Sequence, residues 1–79
     1  MIAENEQKLT DIFRVVLDFE DNYDVSMVRK ISEARWDSLA HVSMVAAVES
    51  EFGVNLDSTD MERMTSFAAT RLLLEEKGL

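Results

Sequence analysis

Leu9, Ile12, Phe13, Val16 and Leu17 recur at i, i+3, i+4, i+7 and i+8. This is the spacing of one apolar stripe on an α-helix, and it predicts a helix from about Ala3 to Asp18. The acidic run Asp18-Phe19-Glu20-Asp21-Asn22 closes it. No period governs residues 19 to 36, where Val25, Met27, Val28 and Ile31 are expected to pin a long connection with at most one short helical turn. A second helix is expected to start behind Asp37, a good N-cap, and to stop at Gly53, which suits a left-handed C-terminal position. Asn55 to Ser58 reads as a turn. Thr59-Asp60-Met61-Glu62 fits a capping box and predicts a short helix carrying Met61 and Met64. Thr65-Ser66 is a further polar break and cap. Phe67 to Lys77 then forms a last helix with Ala68, Leu72 and Leu73 expected inward, and Gly78 ends it. Three longer helices, one short helix and one long connection predict an all-α fold, a small helix bundle.

The second helix carries more apolar surface than one core face requires. Projected at about 100° per residue, Met44, Val45, Val48 and Phe52 form a stripe that suits the core, with His41 and Ala47 near its edges. Leu39, Val42 and Ala46 form a second stripe on another side, bordered by Ser43, Ser50 and Glu49. Two explanations stand. The second stripe packs under the long connection, or it is exposed and docks partner proteins.

Size and composition narrow the function. The chain has 79 residues, which suits one domain spanning 1–79 and leaves little room for an enclosed active site. It has no Cys and one His, which excludes a disulfide framework and a Cys/His zinc site. Asp57 to Glu62 lacks the central Gly and the ligand spacing of a calcium loop, so no metal site is expected. The formal charge is −8. That charge repels phosphate backbones, argues against a nucleic-acid role, and favours a soluble monomer whose partners bear basic docking patches. No apolar run approaches the length of a membrane span, and the acidic N-terminus lacks the basic segment of a signal peptide, so a cytoplasmic location is expected.

Ser38 is expected in the first turn of the second helix. Free backbone N–H groups and the helix dipole favour an anion there, so a phosphodiester on the Ser38 oxygen would sit at a positive end. Asp37 would cap the helix, ligate a Mg²⁺ ion during phosphoryl-type transfer, or do both at different times. His41, one turn on, suggests a Ser–His dyad, but an orienting acid, an oxyanion hole and a G-x-S-x-G elbow are not evident. It reads better as a partly buried residue at the mouth of the core, and Trp36 as an anchor of the connection over the bundle.

Trp36-Asp37-Ser38-Leu39-Ala40-His41-Val42 resembles the Asp-Ser-Leu motif of acyl carrier proteins. The likeness continues through Val45 to Val54 and through Met61-Glu62-Arg63-Met64-Thr65-Ser66-Phe67. Residues 1 to 35 match in length and pattern. The resemblance implies an antiparallel four-helix bundle that is not itself an enzyme. It implies that a phosphopantetheinyl transferase attaches 4′-phosphopantetheine from coenzyme A to Ser38, assisted by Asp37. Leu39, with Val42, Ala46 and Glu49 along the same helix, would then dock partner enzymes. An imported thiol also suits thioester chemistry in a chain without Cys. The implied role is delivery of acyl groups, loaded by a ligase or synthase, to biosynthetic enzymes of lipid or specialised metabolism.

The chain departs from the housekeeping fatty-acid carriers, whose second helix is strongly acidic on its outer face. Ala40, Ser43 and Ser50 stand at such positions here, and acid is concentrated instead at Asp18, Glu20, Asp21 and Asp24. The departures, with Trp36 before Asp37, point to a dedicated carrier of a specialised pathway. Two alternatives remain: an aminoacyl or peptidyl carrier, whose usual Gly near the serine is missing here, and a non-carrier acidic adaptor that binds a protein and bears no arm.

Overall fold

The computed structural model describes residues Met1–Leu79 and is all-helical: α1 (Ala3–Val16), α2 (Ser38–Phe52), α3 (Ser58–Arg63) and α4 (Phe67–Glu76). One 3₁₀ turn, Lys30–Ser32, interrupts the connection between α1 and α2. The result is a small helical bundle with no strand. No helix is long and apolar enough to cross a membrane.

The helix ends follow from local chemistry. Asp37 caps α2 by accepting the Ala40 N–H, and Ser66 caps α4 by accepting the Ala69 N–H. Gly53 ends α2 at φ +64°, a left-handed conformation that costs a residue with a Cβ about 1 kcal/mol or more. The cap of α3 differs from the expectation. Asp57, not Thr59, is the N-cap, and Asp57 and Asp60 form the reciprocal box. Asp57 opens the helix two residues earlier, and Thr59 and Glu62 are exposed on its surface. α1 ends two residues before the predicted Asp18, which instead takes φ +58° just beyond the helix.

α1 supplies Leu9 and Phe13 to the core and its C-cap Leu17 follows them, with Ile12 and Val16 half-buried beside them, as the periodicity predicts. α2 supplies Met44, Val45 and Val48, and Phe52 packs on their flank. Phe13 lies at the centre, its ring edge-on to both Trp36 (centroids 5.2 Å apart) and Phe67 (5.1 Å). Such edge-to-face pairs contribute roughly 1 kcal/mol each beyond their buried area. In α4 the inward face is Phe67, Thr70, Leu73 and Leu74. Ala68 and Leu72, expected inward, face outward. The buried Thr70 hydroxyl is satisfied by donating to the Ser66 carbonyl at 2.8 Å.

The long connection is fixed at several points. Val25 and Val28 are buried through the turn closed by Val28 N–H to Val25 C=O. Met27 and Ile31, expected to pin it as well, are among the most exposed side chains (84% and 86%), because the turn aims Met27 outward and the 3₁₀ turn aims Ile31 away from the core. Backbone hydrogen bonds Lys30 N–H to Thr65 C=O and Phe67 N–H to Val28 C=O tie the connection to the start of α4. The Arg35 guanidinium donates to the Leu17 and Asp18 carbonyls at the end of α1 and lies over the Phe19 ring. A cation at a helix C-terminus is favourable there.

Candidate functional site

Ser38 is the first residue of α2 and is exposed. No hydrogen bond within the fold engages its hydroxyl. The Asp37 carboxylate takes the Ala40 N–H at 2.8 Å, and the Asp37 carbonyl takes the His41 N–H at 2.9 Å. The backbone N–H groups of Ser38 and Leu39 keep no protein partner, so two donors remain at the positive end of a 15-residue helix. Asp37 is exposed beside them, with one carboxylate oxygen committed to the cap. A nucleophile here is reachable from solvent, but no base is aimed at it. Both ring nitrogens of His41 are engaged elsewhere, with the Trp36 indole N–H and the Met61 carbonyl. The Ser–His dyad is therefore not assembled.

The second apolar stripe of α2 is exposed. Leu39 is 77% and Val42 66% accessible, and Ala46 is also open. These residues run down one side of the helix from the Ser38 turn and do not lie under the long connection. Glu49, on the next turn, is half-buried. Its carboxylate accepts the Leu56 N–H at 2.9 Å, which fastens the segment joining α2 to α3.

Three clefts adjoin one another, and His41 lines two of them. One of about 210 Å³ lies between α2 and α3 and is mainly apolar, lined by Val42, Val45, Ala46 and Met61 among others. A second, of about 300 Å³, shares His41 and Met61 with the first and extends to Lys30 and Thr65. A third, of about 520 Å³, shares Lys30 and Thr65 with the second and is completed by Arg29, Ile31, Trp36 and Ser66. Shared lining residues link the three clefts in series, with Val42, Val45 and Ala46 at one end and Arg29 and Lys30 at the other. Sequence reasoning places Ser38, Asp37, Leu39 and Val42 together. It misses Arg29 and Lys30, whose signal is only that two adjacent cations stand in a connection rich in acid.

Comparison of the chain with protein-family models, curated proteins and solved structures gives no significant match.

Proposed function

We propose that this chain is an acyl carrier, bearing acyl groups as thioesters on a 4′-phosphopantetheine arm attached to the Ser38 oxygen. The observation that carries the reading is the uncommitted, solvent-facing Ser38 hydroxyl at the start of α2, beside two unpartnered backbone N–H donors. A transferase can reach that oxygen, and the donors stabilise the phosphodiester once it forms. The resemblance of residues 36–42, 45–54 and 61–67 to acyl carrier proteins supports the same assignment. In the transfer, the Ser38 oxygen attacks the β-phosphorus of coenzyme A and adenosine 3′,5′-bisphosphate leaves. The hydroxyl proton passes to a base of the transferase or to solvent, and the Asp37 carboxylate helps to hold the metal ion. The chain itself performs no chemistry on its cargo.

Exposed Leu39, Val42 and Ala46 supply an apolar docking stripe next to the attachment point, so a partner bound there would have the arm within reach. Glu49 contributes at the edge of this surface while its carboxylate holds the α2–α3 connection. The test is transfer from a fluorescent coenzyme A by a promiscuous phosphopantetheinyl transferase. The wild-type chain is expected to become labelled and Ser38→Ala to stay dark; an unlabelled wild-type chain overturns the proposal.

The same exposed stripe favours a second reading, a protein-binding adaptor with no arm. Binding of a partner with equal affinity to apo, holo and Ser38→Ala forms would support that reading instead.

A further inference from the structure

The chain has eight Lys and Arg residues. Lys8, Arg63, Arg71 and Lys77 each pair with a carboxylate, and Arg14 and Arg35 donate to backbone carbonyls. The side chains of Arg29 and Lys30 alone have neither kind of partner. These two exposed cations both line the largest cleft, which also offers the Thr65 and Ser66 hydroxyl-bearing residues and an apolar wall of Ile31 and Trp36. Glu62 lines the middle cleft, and Asp24 and Glu33 line a separate cleft with Arg29, but none of the three makes an ion pair with Arg29 or Lys30. In a protein of net charge −8, an anion is repelled almost everywhere except beside such a pair.

The cleft also lies close to the attachment point. Trp36 precedes Ser38 by two residues, so their Cα atoms are at most about 7 Å apart. The series of linked clefts passes His41, one turn past Ser38. Its complement is a chain with an apolar stretch and an anionic tip. We infer that the Arg29–Lys30 cleft receives the terminal carboxylate of an acyl group tethered to Ser38, so that this carrier holds ω-carboxyl cargo differently from uncharged cargo. The inference rests on the carrier reading above. Tethering supplies a high local concentration of the carboxylate, which lets a pair of exposed charges hold it although they would bind the free ion weakly.

The experiment uses the ¹⁵N-labelled holo protein loaded with glutaryl, glutaryl methyl ester or butyryl groups. The Lys30, Thr65 and Ser66 amides and the Trp36 indole N–H are expected to shift several-fold more with glutaryl than with the ester. The difference should shrink in 0.5 M salt and vanish in Arg29→Gln/Lys30→Gln, whose altered side chains make no hydrogen bond or ion pair within the fold. Free glutarate, equimolar with the apo protein, should leave these signals unmoved. Equal shifts for glutaryl and its ester overturn the inference and leave the two cations to an acidic protein surface. Equal shifts from free glutarate overturn it in favour of an anion site independent of the arm. Failure to install the arm at all sinks the carrier reading itself, and is seen before any cargo is loaded.

Discussion

The Trp36 indole N–H donates to Nδ1 of His41 at 3.0 Å, and Nε2 of the same imidazole lies 2.9 Å from the Met61 carbonyl. An indole N–H can only donate, so Nδ1 carries the lone pair and Nε2 carries the hydrogen. One side chain thereby joins the long connection, α2 and α3. His41→Ala leaves a buried donor and a carbonyl without partners, a loss of about 2 kcal/mol. Urea unfolding followed by the fluorescence of Trp36, the single tryptophan, measures it. His41→Gln keeps a donor and an acceptor and should recover part of the loss.

Asp37 has two separable roles. Its carboxylate caps α2 through the Ala40 N–H, so Asp37→Ala should cost about 1 kcal/mol in urea unfolding. Asn caps as well as Asp, so Asp37→Asn should restore stability. On the carrier reading the Asn variant still lacks the charge that helps to hold the metal ion, and its phosphopantetheinylation should slow at least tenfold. Restored labelling together with restored stability would show that Asp37 is only a cap.

Acid should expose two ion pairs. The hydrogen bond from Lys77 holds the Asp60 carboxyl below its usual value, and that from Arg63 does the same for Glu76. Each carboxylate is depressed in the folded state. Its stabilising contribution is therefore complete above the ordinary carboxylate pKa of about 4 and is lost as pH falls through the lower folded value. Neutralising other carboxylates also relieves self-repulsion in this acidic chain, so the net slope mixes two effects. The difference between wild type and Arg63→Gln isolates the pair. It should be constant from pH 7 to about 5 and should narrow below about 4, read as urea midpoints.

The exposed α2 stripe should matter for partners and not for folding. Leu39→Ser and Val42→Ser remove apolar groups that are mostly in solvent, so unfolding stability should change by less than about 0.5 kcal/mol. The rate at which a transferase or loading enzyme modifies the chain should fall several-fold. A large stability loss would place these side chains in the core after all.

Much of the architecture was legible because capping and periodicity are local. The Leu9-to-Leu17 stripe, the Asp37 and Ser66 caps and the Gly53 stop all depend on residues within one or two turns. The α3 cap is not legible in the sequence because Asp57 and Thr59 each have an acidic residue three positions later, and only the backbone decides between them. The phase of α4 was hidden by the run Leu72-Leu73-Leu74 and by Thr70, whose hydroxyl is buried because it bonds to the turn before it. At the candidate site, Ser38 and its cap are neighbours in sequence and could be read directly. The His41–Met61 contact spans 20 residues, and the cleft joins Arg29 and Lys30 to Thr65 and Ser66. Periodicity within an element carries no information about such meetings.

Attachment of the arm to Ser38 is a covalent event, and intact-mass spectrometry reads it without intermediaries. The chain is incubated with coenzyme A, Mg²⁺ and a promiscuous phosphopantetheinyl transferase, and its intact mass and fragments are measured. A gain of one phosphopantetheinyl group is expected, localised by fragmentation to Ser38 and absent from Ser38→Ala. A wild-type chain that keeps its unmodified mass while a control carrier is converted, or a group found on any other residue, would contradict it.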